Sequence, residues 1–123
     1  MATASLVGNT GATAKEQNFA AVIGEDYVLT YTITDLAAEA VNLDDYTVSW
    51  KMFLHPLSAE SATLTIVGAV AGGGANTLTV TVTDAQTDSI EPRVYSHELK
   101  ITSAGGTETI VALGSADLSA AQT

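Results

Sequence analysis

Apolar and polar residues alternate one for one along much of this chain, the period of a strand with one buried face. The clearest run is Tyr27 to Thr34, where Tyr27, Leu29, Tyr31 and Ile33 alternate with Val28, Thr30, Thr32 and Thr34. In Tyr46 to Leu54, the residues Tyr46, Val48, Trp50 and Met52 share a face opposite Thr47, Ser49, Lys51 and Phe53. His55-Pro56 is expected to stop that strand, because proline cannot donate to a ladder. In Asn76 to Thr83, the residues Leu78, Val80 and Val82 alternate with threonines. Further strands are expected over Gln17 to Ile23, Ala62 to Val70 (Leu64 and Ile66 inward), Arg93 to Thr102 and Glu108 to Leu113. Thr83-Asp84-Ala85-Gln86 reads as one capped helical turn. The loop Leu36 to Asp45 is acidic, yet its Val41 and Leu43 are apolar enough to plug one end of a core.

About seven strands, with turn signals every 8–12 residues or so, predict an all-β sandwich or barrel. The stretch from Asp84 to Gly106 narrows this. A turn leads to Tyr95 at the start of an alternating strand, and Ala104-Gly105-Gly106 forms a hairpin. That is one corner of an immunoglobulin-like sandwich, with the Tyr95 hydroxyl bonded back to backbone between Asp88 and Pro92. The expected fold is an Ig-like antiparallel β-sandwich over residues 17–114, with Trp50 and Tyr95 in its core. Residues 1–16 read as a flexible arm of Ala, Thr, Gly and Ser, ordered only in an assembly. Leu6 and Val7 are its bulky residues and its expected partner contacts. Residues 115–123 read as a tail in which Asp117 to Ala120 forms a short helical turn.

Composition fits one domain: 123 residues, 46% hydrophobic but only 6% aromatic, so small and β-branched side chains fill the core around Trp50. With no Cys, packing alone must hold it. Net charge is −10, and the four basic residues Lys15, Lys51, Arg93 and Lys100 are scattered, so nucleic acid is not an expected partner. No run approaches the roughly 18 apolar residues of a membrane span, and no secretory leader pattern opens the chain.

Candidate chemistry is thin. Ser96-His97-Glu98 holds the residue types of a nucleophile triad, but neighbours on a strand point to opposite faces. His97 shares the face of Tyr95, Leu99 and Ile101 and reads as a core-edge histidine bonded to backbone. With no cysteine, the two histidines, His55 and His97, cannot build a closed structural zinc site without carboxylates from distant loops. Asp35, Glu39, Asp44 and Asp45 raise calcium, but they match no EF-hand spacing, lack the Gly of its sharp turn and more often serve as turn formers and surface charge. Gly72-Gly73-Gly74 lacks the Lys and Ser/Thr of a phosphate loop. No catalytic residue, metal or cofactor is expected, and the chain does not read as an enzyme.

Gly24-Glu25-Asp26 leading into the strand Tyr27 to Thr34, the apolar pair Val41 and Leu43 in an acidic loop, Trp50 mid-strand, the helical turn Thr83 to Ile90 and Tyr95-Ser96-His97-Glu98-Leu99 follow in that order. This order resembles small β-sandwich domains of tailed-bacteriophage virion proteins, among them the N-terminal domains of baseplate upper proteins. The resemblance covers roughly Asn18 to Gly114. The family tends to have glycine where this chain has Ala38-Glu39-Ala40. The resemblance implies a virion structural component, an accessory, adaptor or decoration protein on capsid or tail. Such a component is expected in many copies in contact with other virion proteins, and, from charge and hydropathy, with no membrane or nucleic-acid partner. A bacterial Ig-like adhesion or carbohydrate-binding module is the alternative.

Overall fold

Ten strands and one helical turn make up the described residues, 2–10, 15–53, 64–88 and 90–120, in a computed structural model. The strands are β1 (Ala2–Asn9), β2 (Lys15–Glu16), β3 (Phe19–Val22), β4 (Tyr27–Thr34), β5 (Thr47–Phe53), β6 (Leu64–Val67), β7 (Ala69–Val70), β8 (Thr77–Val82), β9 (Arg93–Thr102) and β10 (Glu108–Ser119), with α1 (Asp84–Thr87) between β8 and β9. They form a four-stranded sheet, β1-β4-β8-β7, and a six-stranded sheet, β2-β10-β9-β5-β6, with β3 also on β10.

The sheets meet across one core. Leu29, Tyr31, Ile33, Leu78 and Val80 enter it from the smaller sheet. Trp50, Met52, Leu99, Ile101 and Val111 enter it from the larger. Each set is the apolar half of an alternating run, so burial of that half fixes register. Leu43 is completely buried and Val41 packs against the core, so the acidic loop does close one end. The helical turn forms where expected, with the Gln86 side chain accepting the Thr83 N–H at 2.8 Å. The Asp84 N–H donates to Asp26 Oδ1 at 2.9 Å, tying the turn to the start of β4.

Four expectations are corrected. The sandwich is mixed rather than antiparallel: β1 pairs parallel with β4, and β2 and β3 pair parallel with β10. The arm over residues 1–16 is mostly strand, with β1 in register along all of β4 from Ala2↔Tyr27 to Asn9↔Thr34. Its small residues suit this place, since a Cβ on Gly8 would stand 2.7 Å from Ile33 Cδ1. The 115–123 tail and its helical turn are replaced through Ser119 by the continuation of β10. Gly114 does not end that strand; it gives room to the Gln17 carbonyl, whose carbon would lie 2.6 Å from a Cβ there. Finally, the strand expected over Ala62 to Val70 divides. β6 pairs with β5 in one sheet and β7 with β8 in the other. The crossing is at Gly68, where a Cβ would meet Val48 Cγ1 at 2.8 Å. His55 and Pro56 lie outside the described residues.

Loop geometry explains one backbone outlier. Asp35 Oδ1 accepts the N–H groups of Ala37 and Glu39 at 2.9 and 3.0 Å, and the Ala38 N–H donates to Asp35 O at 2.9 Å. This tight wrap holds Ala38 at φ 63, a left-handed conformation that favours glycine. Ala38 stands in the loop where the resembled family tends to have glycine.

Candidate interaction surfaces

The polar halves of the alternating runs make the outer faces, and the two sheets differ there. On the four-stranded sheet three rungs cross β1, β4 and β8: Thr3–Val28–Thr81, Ser5–Thr30–Thr79 and Val7–Thr32–Thr77. Ala69 on β7 extends the middle rung, and Asn9–Thr34 ends the face. These positions hold hydroxyls, methyls and one amide, with no charged side chain among them. On the six-stranded sheet the rungs are Val67–Ser49–Lys100–Ile110 and Thr65–Lys51–Glu98–Leu113, followed by Phe53–Ser96–Ser115 and Val94–Asp117. Lys100 Nζ also meets Glu108 Oε2 at 3.2 Å. Val67, Val94, Ile110 and Leu113 are exposed on this face, separated by charges.

Leu6 and Val7, expected to act together on a partner, point in opposite directions. Leu6 is 6% exposed and belongs to the chain's own core; Val7 is 44% exposed on the four-stranded outer face. The reason is the period of two within β1, invisible while this segment reads as an arm.

Trp50 is 1% exposed and Tyr95 3%. The Tyr95 hydroxyl donates to the Glu91 carbonyl at 2.7 Å, inside the Asp88 to Pro92 stretch. Ser96, His97 and Glu98 do not converge: Ser96 and Glu98 stand on outer rungs, whereas His97 is 2% exposed between the sheets. His97 Nε2 lies 2.7 Å from the Gln17 carbonyl, so this nitrogen carries the proton and donates. Nδ1 is buried without a partner, and the ring sits edge-on to Phe19 at 5.0 Å and tilted to Trp50 at 5.9 Å. Burial lowers the His97 pKa, against the hydrogen bond to Gln17, which raises it. The neutral ring is therefore the folded form. Sequence reasoning did not find Gln17, which joins three elements. It donates its N–H to Leu113 O at 2.6 Å, its side chain accepts from the Val7 N–H at 3.0 Å, and its carbonyl faces His97.

The loops at both ends are acidic. Asp35 and Asp44 use their carboxylates on backbone, Asp44 accepting the Gly74 N–H at 2.9 and 3.0 Å. No three of His, Asp or Glu converge as metal ligands among the described residues. His55 lies outside them.

With this geometry the chain can be compared with known proteins. Its structure aligns with the N-terminal domain of phage TP901-1 ORF48 at a TM-score of 0.65, over 96% of this chain and 98% of that one. The fold resembles a phage protein domain. Sequence identity is 7%, so the likeness is one of fold. The uncovered 4% is less than a sixteen-residue arm, so part at least of residues 1–16 falls within the shared architecture. No family model matches the chain, and no curated protein matches it.

Proposed function

We propose that this chain is a structural component of a tailed-phage virion. It serves as an accessory, adaptor or decoration protein on capsid or tail, present in many copies on symmetric positions and working by contact with other virion proteins. The observation that carries the reading is the fold likeness to a phage domain over nearly the whole of both chains. The order of motifs from Gly24 to Leu99 points independently to the same class. The reading assigns the chain no catalysis; His97, buried among the described residues, donates to the Gln17 carbonyl and packs against the Phe19 and Trp50 rings. The experiment is gold labelling of purified tailed particles with an antibody against this chain. Labelling at a fixed place on capsid or tail is expected; uniformly bare particles overturn the proposal.

A further inference from the structure

We infer that the outer face of the four-stranded sheet is a contact surface between two copies of this chain, laid face to face about a two-fold axis. This goes beyond the virion role and does not rest on it.

The first argument is charge. Each copy carries −10, so a second copy is repelled wherever carboxylates meet carboxylates. One end of the sandwich bears Asp35, Glu39, Asp44 and Asp45, and the other bears Asp26, Asp84 and their neighbours. The outer six-stranded face mixes Lys51, Glu98, Lys100 and Asp117 into its rungs. The four-stranded outer face brings no carboxylate to the contact.

The second argument is self-complementarity. A two-fold contact sets one patch against itself. A patch of ammonium or carboxylate groups repels its own copy, but a hydroxyl both donates and accepts, so a threonine face can hydrogen-bond to another. The threonine methyls, with Val7 and Val28, supply apolar area between the hydroxyls. The face is also regular, with rungs about 4.8 Å apart across strands and about 6.7 Å apart along them.

The face is also small. Strands β1, β4 and β8, of 8, 8 and 6 residues, with the 2-residue β7 beside them, present about 400 Å². Two such faces bury about 800 Å² together, the size of a weak, transient contact, so the free chain associates weakly and reversibly.

Sedimentation velocity on the whole chain, from micromolar to millimolar, tests this. The sedimentation coefficient should rise with concentration toward that of a dimer. Added salt should strengthen association, because it screens repulsion between the two acidic chains. Thr79→Lys and Thr30→Glu, in the central rung, should each abolish dimer formation, and an equimolar mixture of the two should restore it at least about tenfold tighter than the parent. Ser49→Lys, the same charge change on the other outer face, should leave association unchanged. Retained emission of the buried Trp50 certifies that each variant is folded. A parent chain monomeric at every concentration overturns the inference. So does association that weakens with salt, survives Thr79→Lys, or is lost with Ser49→Lys. A monomer in solution leaves the virion proposal standing, and bare particles leave this one standing.

Discussion

The two sheets have inner faces of one kind and outer faces of two kinds. Inside, Tyr31 and Ile33 on one sheet and Trp50 and Met52 on the other answer the same demand: apolar groups at every second residue, filling a shared core. Outside, both faces satisfy strand propensity, yet the larger sheet uses Lys51 beside Glu98 and Lys100 beside Glu108, while the smaller uses threonine across three strands. Folding alone does not require that difference, since either composition is compatible with a half-buried strand. The inner faces therefore account for the fold, and the difference between the outer faces is left for something other than folding to explain.

The inner and outer faces should differ most at Trp50. Trp50→Ala should lose about 3–5 kcal/mol in a denaturant titration, as for other large core deletions. Thr30→Ala, outside the opposite sheet, should stay within about 0.5 kcal/mol of the parent. Next is β1, whose two sides can be compared in one strand. Leu6→Ala should cost about 2–4 kcal/mol and Val7→Ala no more than about 0.5 kcal/mol. Equal small effects would return this segment to a loose arm.

His97 sharpens the comparison with pH. Its folded pKa is lowered by burial, so the unfolded chain binds the proton first as pH falls below about 6.5, and stability declines from there at up to about 1.4 kcal/mol per pH unit. The tyrosines inside, Tyr27, Tyr31 and Tyr95, are all raised by burial and stay neutral throughout that range. Melting curves between pH 7.5 and pH 5.5, values bracketing the free imidazole pKa of about 6.5, should show the decline in the parent and a flatter profile in His97→Leu. The smallest effect is at Ala38. Ala38→Gly relieves a left-handed residue but adds freedom to the unfolded chain, for a net gain of about 0.5–1 kcal/mol.

Much of this architecture was legible because its signal is local. Tyr27 to Thr34 and Asn76 to Thr83 alternate strictly, and the Trp50 strand has one bulky face. The helical turn at Asp84 has its cap, and Val41 and Leu43 stand out as an apolar pair in an acidic loop. What escaped is held by partners far away in sequence. β1 is built of Ala, Thr, Ser and Gly and becomes a strand by pairing with β4, about 25 residues on. Gly68 falls inside the strand expected over Ala62 to Val70 and Gly114 at the end of the expected domain, yet each marks a close approach of another backbone or side chain, Val48 in one case and Gln17 in the other. The threonines were plain in the sequence, but their union into one uncharged face depends on the order β1-β4-β8, which no single run encodes.

The central claim, that this chain is a structural part of a tailed-phage particle, is tested most directly by quantitative mass spectrometry of density-purified virions from cells that express it. The chain is expected in the particle fraction at a fixed ratio to the major capsid protein, unchanged by further purification. Its presence in the lysate and loss from the particles on purification would contradict the claim.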